Sequence, residues 1–313
     1  MTRYFGRQYR IEFADDSGTV QRVIDSRESL TPLQIEFFTE TTFGAALSLM
    51  ELSISGLSKA SIGQIVACKT VDLQAGYPDA FGSIFVGKIT NHATPRDDVD
   101  RELTLYCWSG LKEQTDKTCN VSFAEGSKYA DIVDFIARDI FQRPPAYIGF
   151  SEAFKQAMGT ASDGYNGNQS HRVFLDHLAA DLQFQWLIQN ERCVLMERGT
   201  SRGGDAWPIN AETGLVGGVS LTWLGADFEM KLNPKINIGD RVNIRSESTS
   251  INFSSIYSVS LPKHKSTIGD GDYVVKALRR QGSFYGDNSW TSELTCWREG
   301  ETGLREDGLP YVQ

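Results

Sequence analysis

Few residues of this sequence have the types and spacing that catalysis requires. Gly149-Phe150-Ser151-Glu152-Ala153 is the nearest match to the G-x-S-x-G turn that exposes a nucleophilic serine, but it lacks the last glycine. The sequence contains neither a Walker loop nor a strand-linked G-x-G-x-x-G phosphate loop. We therefore expect no catalytic role for Ser151.

Histidine spacing gives no joint metal site. His171 and His177 are six residues apart, so on a helix they point away from each other. His177 is predicted to be a partly buried helix residue, and His92 and His264 are predicted to lie in polar loops.

Acidic residues and cysteines also favour structural roles. Asp163-x-Tyr165-x-Gly167 has tyrosine and glycine where a calcium loop needs oxygen ligands, so a solvated loop is predicted there. Asp97-Asp98-x-Asp100 and Asp270-Gly271-Asp272 could collect a calcium ion but are more typical of turns. The cysteines form no C-x-x-C pair, and we expect reduced, mostly buried thiols at positions 68, 107, 119, 193 and 296. No metal or cofactor is predicted.

Composition and charge argue against further classes of protein, among them nucleic-acid binders and membrane-spanning proteins. The net charge is −9 and no Lys/Arg cluster is present, which argues against a sequence-independent nucleic-acid binder, although an acidic protein can line a channel through which DNA slides. No signal peptide is expected at the first residues, and apolar runs fall far short of the ~20 residues that span a bilayer.

The elements that would position these residues are mostly strands. Alternating or apolar runs predict strands at 9–13, 19–24, 33–37, 49–54, 65–73, 82–91 and 101–108, and again at 220–224, 228–232, 241–245, 251–261, 273–282 and 291–297.

The middle of the chain has a different pattern. A helix capped by Ser127 and running to about Phe141, a mobile loop over 157–170, a helix over 170–182 and a hairpin over 184–197 are predicted there. The polar tail from Arg298 is expected to fray.

The two β-rich parts resemble each other weakly. Ser83-Ile84-Phe85 and Glu102 to Trp108 in the first part correspond to Ser255-Ile256-Tyr257 and Glu293 to Trp297 in the second. Upstream, the strand that holds Glu51 corresponds to the strand that holds Leu221. This order suggests duplication, and three chains with two modules each would present six similar units around an axis.

Several segments together resemble the baseplate hub proteins of contractile-tail phages. They are Leu49 to Ser58, Ile62-x-x-Ile65, Val71 to Tyr77, Ile84 to Ile89, Phe174 to Ile188, Gly214 to Gly217 and Leu232 to Asp240, with Gly56 where asparagine is usual in that family. Gly76 and Gly87 fit sharp turns or bulges in this pattern.

The resemblance implies an α+β, mostly β fold with two related antiparallel β-barrel modules flanking a small α+β insert. The expected limits are 1–120 for the first module, 121–210 for the insert, 211–300 for the second module and 301–313 for a polar tail. The implied role is structural: a homotrimeric ring in the virion that contacts tail tube, central spike and other baseplate subunits, with DNA only passing through its channel. The host cytoplasm is the expected site of synthesis.

Other functions stay open on the sequence alone. The many aromatic residues permit a carbohydrate-binding or receptor-binding tail module. A tail-associated muralytic enzyme would need two facing carboxylates, and nothing in the sequence selects a pair among its 40 acidic residues. A non-phage contractile injection system could also use such a subunit.

Overall fold

The computed structural model of the 313-residue chain describes residues 5–43, 48–94, 101–110, 118–141, 147–222, 224–246, 249–251, 270–286 and 290–300. The fold is mostly β with a few helices, and its strand pairs are mainly antiparallel. This confirms the predicted fold class. In the parts of the chain just given, no helix combines the length and apolar character needed to cross a membrane.

In the residues that the structure describes, the first β module has seven strands and one helix. They are β1 (Gln8–Ala14), β2 (Val20–Asp25), β3 (Ile35–Thr42), β4 (Ser48–Ser55), α1 (Lys59–Ala67), β5 (Thr70–Tyr77), β6 (Ala80–Ala93) and β7 (Glu102–Ser109). Strands that are distant in the sheet order, such as β1 and β3, share one buried core. The Tyr9 hydroxyl donates to the Leu33 carbonyl at 2.7 Å across that closure. The sheet therefore curls into a barrel-like module.

The insert packs helices against two small sheets. Its elements are β8 (Thr118–Phe123), α2 (Tyr129–Phe141), β9 (Tyr147–Gly149), α3 (Glu152–Ala157), β10 (Tyr165–Ser170), α4 (His171–Asp181), β11 (Phe184–Gln189) and β12 (Arg192–Glu197). The apolar stripe of α2 and the inward side of α4 meet the β11–β12 hairpin in a separate core. Ser170 caps α4 by accepting from the Val173 N–H.

The second β module has its own core and repeats the strand order of the first. Its strands are β13 (Trp207–Ile209), β14 (Leu215–Leu221), β15 (Gly225–Lys231), β16 (Arg241–Ile244), β17 (Thr249–Ile251), β18 (Gly271–Ser283) and β19 (Trp290–Arg298). The spatial order β3-β4-β7-β6-β5 of the first module recurs as β14-β15-β19-β18-β16.

A bulge at equivalent positions strengthens this structural repeat. In the first module Thr90 is the extra residue between the pairs Ile89–Cys107 and Asn91–Tyr106. In the second module Lys276 is the extra residue between Val275–Cys296 and Ala277–Thr295. Both bulges lie opposite a Leu-x-Cys-Trp strand, Leu105 to Trp108 or Leu294 to Trp297. Because both modules share this bulge, β6 can be aligned with β18 and β7 with β19, residue by residue.

The predicted repeat was right for β7 and β19 but wrong upstream. The strand of Glu51 is β4, whose counterpart is β15, whereas Leu221 lies in β14. The same alignment matches Phe85 with Gly271, the first residue of β18, so the counterpart of Ser83 to Phe85 is not at 255–257, which lie outside the described residues. Short sequence matches shifted by one strand because alternating strands look alike.

Several predicted elements need correction. Ile65 lies in α1, because Ser58 accepts from the Ser61 N–H and starts a helix there. Ser127 does not cap α2, since its hydroxyl donates to the Ala124 carbonyl and the helix begins at Tyr129. The strand predicted at 220–224 is β14, which ends at Leu221. The predicted strand over 251–261 lies almost entirely outside the described residues.

The predicted mobile loop over 157–170 is also wrong in its second half. Tyr165–Ser170 forms β10, which pairs with β8 along its whole length. Gly167 is required there for close packing rather than for mobility, because an added Cβ would lie 1.8 Å from the Phe174 ring. Polar side chains suit this strand because the small sheet is largely exposed.

Candidate functional site

Ser151 has a structural role in this fold. Its hydroxyl accepts from the Phe154 N–H at 3.1 Å and so caps α3. Its own backbone N–H donates to the Glu197 carboxylate. These contacts tie α3 to the end of β12.

The described histidines do not converge. His171 and His177 both lie on α4, the first buried and the second exposed, so the prediction of a partly buried His177 was wrong. The prediction of a loop for His92 was also wrong, because this residue lies near the exposed end of β6. His264 lies outside the described residues.

The acidic residues that could have bound calcium accept hydrogen bonds from neighbouring residues at two positions. Asp270 accepts from the Ser246 N–H, and Asp272, which lies in β18 rather than in a turn, accepts from the Asn243 amide. Asp163 is exposed beside β10, and Asp97, Asp98 and Asp100 lie outside the described residues. Within the described ranges, no three His, Cys, Asp or Glu side chains are grouped as metal ligands.

The described thiols are buried. Cys68, Cys107, Cys193 and Cys296 are free, and burial raises the pKa of each. Of Cys119 the structure describes only the backbone in β8. Buried thiols with raised pKa values are poor nucleophiles, which suits a packing role.

The candidate functional site is instead the junction between the two β modules. β3 of the first module pairs antiparallel with β18 of the second, from Thr42–Ala277 to Glu36–Ser283. Edge-to-edge pairing joins the modules into one continuous sheet. Arg279 and Glu40 form an ion pair across this seam at 2.9 Å.

A buried arginine reinforces the seam from the core side. Arg280 is 2% exposed and donates to the Ile84 carbonyl of the first module and to the Ile236 carbonyl of the second, at 3.2 and 2.6 Å. Burial lowers its pKa to about 10, and the Asp240 carboxylate opposes that effect. At neutral pH the side chain therefore stays charged and binds both modules.

The insert docks on the modules through the β11–β12 turn. Asn190 accepts from the Val86 N–H and Glu191 accepts from the Gly110 N–H of the first module. Gln189 donates to Asn237 of the second module at 3.0 Å. One hairpin turn thus contacts both β modules.

A cleft of about 780 Å³ opens beside this seam. It is lined by residues of both modules and by Gln185 of the insert. Lys276, the bulge residue of β18, lies over the Phe43 and Trp297 rings at 5.2 and 5.3 Å. Its pKa is lowered to about 8 by burial and by the charge of Arg198. The Lys276 ammonium is thus held against aromatic faces from both β modules, which is a packing arrangement across the seam.

The face of the continuous sheet that lies opposite the cores is acidic. Register partners place side chains of β15, β19, β18, β3, β4 and β7 on this acidic face. Its bases on these strands are Lys231, Lys276 and Arg279. Its acids are Glu36, Glu40, Glu51, Glu102, Asp227, Glu229 and Glu293. Such a surface repels polyanions rather than binding them.

Sequence reasoning missed Lys276, Arg279 and Arg280. The available signal was the position of the two adjacent arginines inside an apolar strand. Because successive strand residues point to opposite faces, one of them had to point into the core.

Comparisons with known proteins agree with this architecture. A family model described as Baseplate hub gp41 matches residues 49–254, more than half of the chain. No curated protein matches the chain by sequence.

Solved structures of low sequence identity share the fold. A tail protein from Neisseria meningitidis MC58 is similar with a TM-score of 0.58 and 10% identity, covering 98% of this chain and 100% of its own. The 43 kDa tail protein of prophage MuSo2 from Shewanella oneidensis has a TM-score of 0.56 and 7% identity, covering 95% and 100%.

A protein of the type VI secretion system is also similar. This E. coli protein, c3393, which resembles the T4 tail proteins gp27 and gp5, has a TM-score of 0.50 and 9% identity, covering 92% of this chain and 78% of its own. Because the family model matches 206 of the 313 residues, the chain belongs to the family described as Baseplate hub gp41.

Proposed function

We propose that this chain is the hub subunit of a contractile phage tail, assembling as a trimeric, pseudo-six-fold ring that joins the hexameric tail tube to the central spike. Its role in the phage tail baseplate is structural. Tube protein, spike and other baseplate subunits are its proposed partners, and the virion tail is its proposed location. We propose no catalytic activity for it.

The structural repeat is the observation that carries this proposal. Both β modules share a strand order and a bulge at the same position. Three such chains supply six equivalent units, so a three-fold assembly can meet a six-fold tube with matching surfaces. The domain limits 1–120, 121–210, 211–300 and 301–313 stay part of the proposal, and the first of them falls within β8.

In this proposal the acidic face lines the central channel of the ring. A ring that turns this face inward would present carboxylates from both modules to passing DNA. Like charge keeps the DNA from adhering, so that it slides through. A spike on one end and a tube on the other would then occupy the two rims of the ring.

The mass of the purified chain in solution tests the proposal. Light scattering coupled to gel filtration should give about 104 kDa, three times the chain mass of 34.8 kDa, and electron microscopy of that peak should show rings with a central channel. A monomer at the highest soluble concentration would contradict the hub function. Glycan binding by that monomer would then favour a carbohydrate-binding tail module.

A further inference from the structure

We propose that the outward face of β3, β4 and β7 binds a helix of a partner protein that carries an apolar stripe flanked by lysines or arginines. The binding surface is an apolar block of four side chains on these strands: Phe38, Leu49, Tyr106 and Trp108. It belongs to the first module of a single chain, so it does not require the proposed ring.

Register partners place the apolar block in two adjacent rows of side chains. The partners across the three strands in one row are Phe38, Glu51 and Tyr106, and those in the next row are Glu40, Leu49 and Trp108. The four apolar side chains are between 36% and 39% exposed. Outward positions of a half-solvated antiparallel sheet are ordinarily polar. Neighbouring exposed apolar side chains therefore mark this face as a binding surface.

The second module has the same strands without the apolar block. The aligned strands and their register partners match Phe38 with Ser220, Leu49 with Gly225, Tyr106 with Thr295 and Trp108 with Trp297. Because three of the four counterparts are small or polar, the shared fold does not require apolar side chains at these places. A trimeric ring would carry three such blocks rather than six.

In the second module a lysine of the same chain covers the equivalent tryptophan. Lys276, the bulge residue of β18, lies over the Trp297 ring at 5.3 Å. The bulge residue of β6 is Thr90, whose hydroxyl donates to the Tyr106 carbonyl at 2.8 Å. The bulge therefore supplies no cation to Trp108, and a cation over an aromatic face is favourable. A lysine or arginine of the partner would take the place at Trp108 that Lys276 has at Trp297.

The carboxylates of this face indicate the same charge for the partner. Glu51 lies between Phe38 and Tyr106 in its row. Glu40 pairs with Arg279, whereas Glu51 has no ion-pair partner among the residues that the structure describes. A base that pairs with Glu51 would also meet the two flanking rings.

The bases at the borders of the block leave that place open. Arg279 is engaged with Glu40 on one side, and Lys88 is the register partner of Trp108 on the other. Two further acids, Glu36 and Glu102, extend the same face along β3 and β7. An acidic partner or a nucleic acid would be repelled by these carboxylates.

The dimensions of the face fit a helix. Three neighbouring strands span about 10 Å, which is close to the diameter of a helix with its side chains. A groove of about 390 Å³ beside Phe38 and Glu51 extends the surface to Gln281 of the second module. A segment that lies on the face of a sheet finds no backbone partners there, so it must satisfy its own backbone, as a helix does.

Fluorescence anisotropy with a labelled synthetic helix tests the proposal on the purified full chain. The probe has about five turns, with leucines along one stripe and lysines on both sides of it. One control peptide carries glutamates in place of the lysines, and another has the same residues in scrambled order. At about 0.15 M salt, which screens distant charges, both control peptides should bind at least about tenfold more weakly than the lysine helix.

The repeat supplies the substitutions for the apolar block. Phe38→Ser/Tyr106→Thr introduces the residues of the second module at the equivalent places, and it should weaken binding of the lysine helix at least about tenfold. The matched control, Phe5→Ser/Leu30→Thr, removes two exposed apolar side chains outside these strands. We expect the control variant to bind as the wild type does.

A single charge change tests the place of the base. Glu51→Gln keeps the shape of the side chain, and it should weaken binding of the lysine helix and reduce its dependence on salt. Glu125→Gln, on the exposed surface of the insert, is the matched control and should leave both unchanged.

The proposal is supported if Phe38→Ser/Tyr106→Thr and Glu51→Gln both lose affinity while their controls do not. A wild-type chain that does not bind the lysine helix, or that binds it no better than its two block variants do, overturns it. If the double variant fails to fold by circular dichroism, Glu51→Gln decides alone. A monomeric wild-type chain that binds the lysine helix in this way would overturn the ring and leave the binding surface standing.

Discussion

Two adjacent arginines on β18 have opposite environments because successive strand residues face opposite sides. Arg279 points to the acidic face and pairs with Glu40, with about half of its side chain exposed. Arg280 points between the modules and is buried, with its hydrogen bonds made to backbone carbonyls of both. Charge alone does not distinguish them, but burial makes their contributions to stability very different.

Replacing each arginine by alanine should show this difference. Arg280→Ala leaves a cavity and two buried carbonyls without their donor, so the free energy of unfolding should fall by about 3 kcal/mol. Arg279→Ala removes only an exposed ion pair and should cost less than about 1 kcal/mol. Urea unfolding followed by tryptophan fluorescence measures both. Equal losses in the two variants would refute the role given to Arg280 at the seam.

At the scale of elements, most strands were predictable because one side of each is buried. Alternation located β1, β4, β7 and β19 within a residue or two, since a half-buried strand imposes a period of two on the sequence. The helix α4 and the β11–β12 hairpin were also predictable from the sequence. For α4, the N-cap residue Ser170 and the apolar stripe indicate the same helix.

Elements that depend on distant partners were not predictable. β10 is polar along its length and is a strand only because β8 lies beside it. The β3–β18 seam joins residues more than 200 positions apart, and no local pattern encodes that pairing. The buried position of Arg280 follows from the same seam. The site was therefore missed, although the family resemblance was correct.

The β5–β6 hairpin leaves no room for a Cβ atom at Gly76. Gly76 has a φ of +153°, and an added Cβ would lie 2.0 Å from the Ala80 carbonyl oxygen. The prediction of a special backbone there was right, whereas Gly87 serves close packing: its added Cβ would meet the Phe85 ring at 2.7 Å.

Replacing each of two glycines by alanine tests whether the hairpin requires glycine at position 76. Gly76→Ala should lower the free energy of unfolding by more than about 3 kcal/mol, because the clash is with backbone that cannot move aside. Gly63→Ala, in α1 with open space around it, should instead raise that free energy by about 0.5–1 kcal/mol. Thermal unfolding compares the two variants. A Gly76→Ala chain as stable as the wild type would show that the hairpin does not require glycine.

At the scale of the whole molecule, one sheet runs through both modules and separates two surfaces. Apolar cores lie on one side, and the acidic face lies on the other. Exposed aromatics such as Tyr106 and Trp108 share that face with the carboxylates. Seven acids against three bases give this face a net charge of −4, which is part of the net charge of −9 of the whole chain.

Charge reversal on that face should convert repulsion into binding. Glu229→Lys/Glu293→Lys changes two acids of β15 and β19, and in a trimer it would place six new lysines around the channel. The matched control, Glu125→Lys/Asp163→Lys, makes the same change of net charge on exposed residues of the insert. Fluorescence anisotropy with labelled duplex DNA should show at least about tenfold tighter binding for the face variant than for the control at low salt, and this difference should shrink as salt rises. Equal binding by both variants would mean that overall charge, rather than the acidic face, governs the response to DNA, and the channel would then have to be lined by another surface.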